Sequence, residues 1–361
     1  MREQIQRLAR SLGKVDMRFF FRLLPTAALF LTIPGLAGAQ NAPDAQAGTL
    51  SIVVENDKFG SFDQSKQTDR NFTNGIRLNW ISEPRATPRW GRELAAWVPM
   101  FPDGGTTRVG YALGQNMYTP ENIVARDLQL RDRPYSGWTY LGAAITSDRD
   151  DDGQGRLDTL ELNVGIVGPQ SYASETQREY HRLIGAQVPQ GWNNQLRNEP
   201  GAVLFYERKW RNIGRSDLLP GIEGDFSPHV GASLGNVFTY AGAGLTLRIG
   251  HNLSTDYGAP RIRPGLAGSM HFDTPRERPY AFYGFVGIEG RAVARDITLD
   301  GNSFANSHSV DRRPLVGDIQ FGFAAIVAPV RATFTYVVRT REFETQRNAD
   351  RFGAVSLSVK F

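Results

Sequence analysis

Gly353-Ala-Val355-Ser-Leu357-Ser-Val359-Lys-Phe361 is the stretch that decides the fold class of this chain. Apolar residues at the odd positions alternate with small or polar residues at the even ones, and the stretch ends in an aromatic residue. A period of two with one apolar face predicts a half-buried β-strand. Such a strand fits two kinds of protein, the edge of a β-sandwich and the wall of a membrane barrel.

Strand-like segments recur along the chain at lengths that suit a tilted membrane strand. With the final one they are residues 50–54, 72–80, 106–117, 135–147, 157–167, 201–211, 225–235, 241–250, 281–297, 315–327, 331–343 and 353–361. Residues 264–272 are a weaker candidate, but a barrel whose two ends lie on one side of the membrane needs an even number of strands. We therefore predict an all-β fold, a transmembrane antiparallel β-barrel of about 12 strands, with residues 251–279 as one long loop.

Residues 1–39 have the composition of a secretory signal peptide. Basic residues are followed by an apolar run over residues 23–36, and Ala37-Gly38-Ala39 offers a cleavage site. We predict export to the outer membrane of a Gram-negative bacterium, with residues 40–361 as the barrel domain. The basic excess of the leader equals the whole net charge of +4, so nucleic acid is not an expected partner of the exported domain. The chain has no cysteine, which excludes disulfides and thiolate metal sites.

Export leaves the N-terminus in the periplasm, and the strands then alternate between outward and inward directions. Three unusual segments are predicted to be extracellular loops that gather at one rim of the barrel, beside the outer leaflet. They are residues 58–70, 118–134 and 168–200.

A short helix is predicted over residues 171–186 of the third loop, because apolar residues recur there at spacings of three and four. Ser171 or Ser174 is the expected N-cap. Gln177 and His181 are four residues apart, so they share one face of this helix.

His181 is a candidate general base, because imidazole titrates near neutral pH. Two polar sets are predicted to lie at the same rim, Glu55-Asn56-Asp57 at the end of the first strand and Thr68-Asp69-Arg70 at the start of the second. Their carboxylate and amide oxygens suit a hard cation such as calcium. The sequence has no HExxH zinc motif and no GxSxG nucleophile elbow. Attack by a water molecule that His181 activates is therefore the economical mechanism.

Seven motifs occur in order along the exported domain. They are Glu55-Asn56-Asp57, Thr68-Asp69-Arg70-Asn71-Phe72-Thr73-Asn74-Gly75, Gly114-Gln115-Asn116-Met117-Tyr118-Thr119-Pro120, Asp132-Arg133-Pro134-Tyr135-Ser136-Gly137-Trp138, Val167-Gly168-Pro169, Gln177-x-x-x-His181-Arg182-x-Ile184-Gly185 and Gly191-Trp192-x-x-Gln195-Leu196-x-x-Glu199. Together they resemble the outer-membrane lipid A 3′-O-deacylase family. The resemblance implies a twelve-stranded barrel that removes the ester-linked 3′ acyloxyacyl group of lipid A and requires calcium.

The resemblance also implies site residues in this chain. The catalytic set is Asn56, Asp57, Thr73 and His181. By the same resemblance, His181 would activate water, Asp57 with Asn56 would hold the cation or orient the site, and Thr73 would hydrogen-bond the reacting groups.

Substrate contacts are predicted from three further side chains at the rim. Arg126 and Arg133 are candidate partners of the lipid A phosphates, because guanidinium binds phosphate in a bidentate manner, and Gln177 is a third candidate. Some family members have an acidic residue where this chain has Gln187, and Glu199 is the candidate substitute.

Two other interpretations remain open at this point. One is a non-enzymatic outer-membrane barrel, porin-like or structural, and the other is a phospholipase-type esterase of the same membrane. An enzyme requires His181, Asp57 and Thr73 to lie close together, whereas a porin does not. Lipid A, as part of lipopolysaccharide, is the expected partner, and the chain is expected to be a monomer.

Overall fold

The computed structural model describes residues 48–61, 69–101, 103–151, 153–262, 269–273 and 280–361. The predicted signal peptide, residues 1–39, lies outside the described residues. None of the helices in the described part of the chain combines the length and the apolar character needed to cross a membrane.

The described residues form an almost entirely β structure. The strands are β1 (Gly48–Asn56), β2 (Asn71–Ser82), β3 (Thr106–Thr119), β4 (Ser136–Asp151), β5 (Gln154–Val167), β6 (Glu199–Arg211), β7 (Ile213–Leu219), β8 (Ile222–Gly235), β9 (Phe238–His251), β10 (Tyr280–Asp296), β11 (Leu315–Val327), β12 (Val330–Arg339) and β13 (Asp350–Lys360). The helices are α1 (Arg89–Trp97), α2 (Ala173–Ile184) and α3 (Ile297–Asp300).

The sheet closes on itself as an antiparallel barrel. Apart from β6 and β7, consecutive strands pair with each other, β1 pairs with β13, and β6 pairs directly with β8. The short strand β7 pairs with β8 outside this ring, so twelve strands form the wall. The predicted fold class and strand number are thereby confirmed.

Several element bounds differ from the prediction. The sequence did not indicate β7, and β12 ends at Arg339 rather than at position 343. We call the end of the barrel where β1 ends and β2 begins the upper rim, and the opposite end the lower rim. The upper rim carries the connections β1–β2, β3–β4 and β5–β6, which are the three segments predicted to gather there.

Side chains alternate between an apolar outer face and a polar lumen. In β2, Leu78 is directed outward and exposed, while Arg77 is directed inward and buried. Glu161 of β5 accepts from Arg77 at 2.9 Å and from Asn163 of its own strand at 2.8 Å. A barrel in lipid needs this arrangement, since its charges must be satisfied inside the wall.

A β-bulge at the start of β2 changes the side that one residue faces. Strict alternation would place Phe72 on the same side as Ile76 and Leu78, but the β2–β3 register skips Thr73. The extra residue reverses the side that Phe72 faces. Phe72 is buried, and its ring centroid lies 5.1 Å from that of Phe352.

The long β9–β10 connection enters the lumen from the lower rim. Its Asp256 accepts from Arg248 of β9 at 3.3 Å and from Arg331 of β12 at 3.1 Å. Arg261 of the same connection pairs with Glu55 of β1 at 2.7 Å. These side chains are almost completely buried, so the described parts of the connection form a plug that is bonded to opposite sides of the wall.

The prediction of one long loop over residues 251–279 agrees with the described residues of this connection. Residues 252–262 and 269–273 contain no strand, and residues 264–268 of the weaker strand candidate lie outside the described residues. Many polar and aromatic side chains among its described residues are buried, Tyr257, His271 and Phe272 among them.

Candidate functional site at the upper rim

The helix α2 lies across the upper rim and begins differently from the prediction. Its N-cap is Tyr172, in the left-handed conformation with φ 56°, and not Ser171 or Ser174. Ser171 is used one turn earlier, where its hydroxyl donates to the carbonyl of Gly168 at 2.6 Å. A bulky residue at positive φ is rare and strained, and this one lies between the turn that follows β5 and the start of α2.

His181, on the buried face of α2, has a partner at each ring nitrogen. Nδ1 lies 2.6 Å from the main-chain carbonyl oxygen of Gln187, and Nε2 lies 3.1 Å from Oδ1 of Asp69. A carbonyl oxygen only accepts, so Nδ1 carries a proton. A carboxylate also only accepts, so the arrangement suits an imidazolium that donates from both nitrogens.

The pKa of His181 is raised above its ordinary value. Burial lowers this pKa, but the hydrogen bond and the charge of Asp69, with the carbonyl of Gln187, raise it by more. The side chain is therefore a stronger base than an exposed histidine.

Asp69 is held by the same helix face that carries His181. The side-chain amide of Gln177 donates to Asp69 Oδ1 at 3.3 Å, and its oxygen accepts from the indole N–H of Trp192 at 2.8 Å. Trp192 is buried against Tyr135 in an aromatic cluster at the rim. Gln177 was predicted to bind substrate, but its amide is used here to position Asp69.

Asn56 and Asp57 form a tight turn at the end of β1. The side chain of Asn56 accepts from the N–H of Lys58 at 2.8 Å and donates to the carbonyl of Thr73 at 3.2 Å. Asp57 is buried, and its Oδ2 accepts from the main-chain N–H of Arg70 at 3.1 Å. The turn is thereby tied to the beginning of β2.

Thr73 is the extra residue of the β2 bulge. Its hydroxyl is buried and lies 2.7 Å from the hydroxyl of Thr119 at the end of β3. Bulges beside active sites commonly redirect a side chain in this way. The bulge cannot be recognised from the sequence. The residues around Thr73 are of types that also occur in a regular strand, so the pattern of apolar and polar residues does not mark the extra residue.

The predicted catalytic residues form two groups that share one segment. Asn56, Asp57 and Thr73 form the first group, and His181 belongs to the second. The segment joining them is Asp69 with its neighbour Arg70, since Asp69 binds the imidazole while the N–H of Arg70 binds Asp57. Sequence reasoning noted Asp69 only as part of a polar set and did not predict it as the partner of His181.

The two arginines predicted to bind phosphate have different surroundings. Arg126 is exposed on the β3–β4 loop. Arg133 is completely buried and pairs with Glu342 at 3.2 Å, with its guanidinium over the ring of Tyr118. This packing corrects the prediction for Arg133, because a guanidinium that is buried and paired inside the barrel is not available to a phosphate at the rim.

Glu199 was the candidate substitute for the acidic residue that some family members have at the position of Gln187. In the structure, Glu199 and Gln187 make other contacts. The carboxylate of Glu199 accepts from the N–H groups of Ser303 and Phe304 and from two asparagine amides, and so it holds the β10–β11 loop. Gln187 contributes its main-chain carbonyl to His181. An amide in place of an acid at position 187 therefore leaves this hydrogen bond intact.

The donor chemistry at the end of β1 fits calcium. The carboxylate of Asp57 and the amide oxygen of Asn56 are hard oxygen ligands, which this cation prefers. In the described part of the chain, His, Asp and Glu side chains form no group of three or more that could hold a metal ion. The remaining ligands of a calcium ion would be main-chain oxygens and water.

Taken together, the fold and the rim define an outer-membrane β-barrel with a histidine–carboxylate pair at one end. The chain belongs to the LpxR family, because the family model described as outer membrane protein LpxR matches residues 23–361. This match confirms the resemblance that the sequence motifs indicated.

One solved structure of the same family agrees at the level of the fold. The chain is similar to LpxR from Salmonella typhimurium, with 22% identity and a TM-score of 0.68 over 87% of this chain and 100% of that one. The β domain of the Bordetella autotransporter BrkA matches with 10% identity and a TM-score of 0.43, over 88% of this chain and 100% of that one. No curated protein sequence matches the chain.

Proposed function

We propose that this protein is a lipid A 3′-O-deacylase, which hydrolyses the ester of the 3′-linked acyl or acyloxyacyl group in the outer leaflet. The observation that carries the proposal is the buried imidazole of His181, bound to Asp69 at the upper rim of a barrel of the LpxR family. With the N-terminus in the periplasm, this rim faces the lipopolysaccharide.

The chain's own residues account for the proton transfers of ester hydrolysis. In the neutral form of His181, Nδ1–H donates to the carbonyl of Gln187, and Nε2 accepts from a water molecule that takes the place of the direct contact with Asp69. The proton of this water passes to Nε2 while its oxygen bonds to the ester carbon. The bond to the sugar oxygen then breaks, and that oxygen takes the proton from Nε2.

Asp69 stabilises the imidazolium formed in the first step. Its Oδ1, which lies 3.1 Å from Nε2 in the structure, would accept a hydrogen bond from the water between them, and its negative charge would offset the positive charge of the ring. Gln177 and Trp192 hold the carboxylate in place. The second nitrogen is fixed by the main-chain carbonyl of Gln187, so the ring has one orientation.

Asp57 and Asn56 are the residues that would hold calcium at the end of β1. When bound, calcium would polarise the ester carbonyl and offset the negative charge that develops on its oxygen. Thr73 and Thr119 supply a pair of hydroxyls beside this turn, and in this proposal Thr73 would hydrogen-bond the reacting groups.

A lipid substrate fits the outer side of α2. Tyr180, Leu183 and Ile184 are exposed there, and Leu183 is 84% exposed. Apolar side chains on a helix that borders the outer leaflet suit acyl chains. Arg126, exposed on the neighbouring loop, suits a phosphate group of the same molecule.

Mass spectrometry of lipid A tests the proposal. We expect cells that express the wild-type protein to lose the 3′-linked acyl group, and cells that express His181→Ala to keep it. A chelator of divalent cations, added to membranes with the wild-type protein, should also preserve the acyl group. An unchanged lipid A profile with a correctly folded wild-type barrel would contradict the assignment.

A further inference from the structure

The helix α1 lies at the lower rim and packs on the outer face of the barrel. Its Gly91 and Ala95 are buried against Val109 of β3 and Ile145 of β4. A Cβ atom on Gly91 would lie 2.5 Å from Val109 Cγ1, so the helix backbone approaches the strand closely.

The strand residues under α1 belong to the face that is directed away from the lumen. Tyr111 and Leu113 follow Val109 at intervals of two along β3, and both are about half-exposed. Val109 itself is only 1% exposed, because the helix covers it. The helix therefore lies beside the apolar outer surface of the barrel and not in the lumen.

A second side of α1 is apolar and uncovered. Trp90, Leu94 and Trp97 are spaced by four and three residues, which places them on one side of the helix. Trp90 and Leu94 are about half-exposed, and Trp97 is 81% exposed. Exposed tryptophans in such an arrangement are uncommon in water but are enriched where a membrane meets it.

The third side of α1 is polar. Arg89 and Glu93 form an ion pair of 2.7 Å there, and Arg92 and Ala96 are also exposed on this side. At about 100° per residue, the barrel-facing, apolar and polar sides are separated by roughly a third of a turn each. This is the arrangement of a helix that touches protein, lipid and water at once.

We propose that α1 is an interfacial membrane helix, which inserts Trp90, Leu94 and Trp97 into the phospholipid headgroup and acyl boundary at the lower rim. The apolar side of α1 is continuous with the lipid-facing surface of the barrel through Trp80, which packs at the edge of the helix contact and stacks on Tyr111 with 5.9 Å between ring centroids. This continuity identifies the occupant of the apolar side as the bilayer. The inference is independent of the chemistry proposed for the opposite rim.

Spin labels attached through single cysteines test this proposal. The chain has no cysteine of its own, so each introduced cysteine takes one label. The full exported domain is folded into vesicles of phosphatidylethanolamine and phosphatidylglycerol, and label accessibility to oxygen and to a water-soluble nickel chelate is measured. Leu94→Cys and Trp97→Cys probe the apolar side, Glu93→Cys and Ala96→Cys are the matched controls on the polar side, and Leu113→Cys is the reference for lipid.

We expect labels at positions 94 and 97 to favour oxygen over the nickel chelate several-fold, as the label at position 113 does, and labels at 93 and 96 to show the reverse. Equal access of the nickel chelate to positions 94 and 96 would overturn the proposal. So would spin–spin broadening at positions 94 and 97 that depends on protein density, because it would indicate a second copy on this side.

Quenching of tryptophan fluorescence is a second test, and it needs no cysteine variants. We expect brominated phospholipids to quench part of the tryptophan emission of the wild-type barrel, and Trp97→Phe to lose part of that quenching. A gel shift on heating confirms that each variant is a folded barrel. Identical quenching of wild type and Trp97→Phe would count against insertion of this side chain.

Discussion

The imidazole Nε2 of His181 lies 3.1 Å from the carboxylate Oδ1 of Asp69, although the two residues belong to different loops of the barrel. The contact joins α2 to the segment that leads into β2. Since the next residue, Arg70, binds the carboxylate of Asp57 through its main-chain N–H, the same segment also joins α2 to the end of β1. Barrel closure thus gives the rim one connected polar site.

Replacing His181 tests its role as the base. We expect His181→Ala to lower the rate of lipid A deacylation by about 10²- to 10⁴-fold, which is the usual contribution of general base catalysis. His308→Ala is the matched control, because His308 lies at the same rim and binds the carbonyl of Asp132. Rates are compared on purified protein in mixed micelles. Equal losses in the two variants would indicate a general effect of rim packing.

Replacing Asp57 tests the predicted calcium ligand. We expect Asp57→Asn to raise the calcium concentration needed for half-maximal deacylation, because the variant lacks a charged oxygen ligand. His181→Ala should leave calcium binding unchanged, as measured by calorimetry. If Asp57→Asn bound calcium as tightly as the wild-type protein, the ligand assignment would be wrong.

The buried ion pair between Arg261 and Glu55 allows a test of the plug. Glu55 immediately precedes Asn56 and is also bound by the N–H of Ile262 at 2.8 Å. Arg261→Met should lower the free energy of unfolding by about 3–5 kcal/mol, because it leaves an unpaired carboxylate in the lumen. The double variant Glu55→Gln with Arg261→Met should lose less. Urea unfolding in lipid vesicles measures the free energy of unfolding of the single and the double variant. Equal decreases in the two variants would contradict a role for the charge of Glu55.

Conductance distinguishes the enzyme from the porin-like alternative. The described parts of the plug are bonded to β1, β9 and β12 across the lumen. We therefore expect planar bilayers that contain the wild-type barrel to show no steady channels, whereas a twelve-stranded porin under the same conditions shows them. Stable openings of wild-type protein would favour the porin interpretation.

The fold could be predicted because its signal is local. Alternation of apolar and polar residues marks each wall strand separately, and the even count follows from topology. The bulge at Thr73 could not be predicted, since one added residue changes the face of Phe72 without changing the residue types. Helix α1 was missed because it has only nine residues, Arg89–Trp97, inside the long segment between the predicted strands 72–80 and 106–117.

The site was harder to predict than the fold, because its contacts join distant parts of the chain. His181 was found from its residue type and helix position, but Asp69 lies more than a hundred residues earlier, in a loop whose composition suggests only solvated charge. Arg133, in contrast, was predicted to bind phosphate at the rim, but it is buried and paired inside the barrel. Its partner Glu342 is 209 residues away, so no local pattern indicates that this arginine lies inside the barrel.

The pH dependence of deacylation by wild type and Asp69→Asn is the most direct test of the central claim, that Asp69 tunes His181 as the base. Because the raised pKa of His181 keeps the ring protonated up to a higher pH, wild-type activity should rise with pH through that raised pKa. Asp69→Asn removes the main cause of the raised pKa of His181 and leaves burial, which lowers this pKa. The rise of activity should therefore occur at lower pH in the variant, and the maximal rate should fall. A rise at the same pH in both proteins would contradict the account.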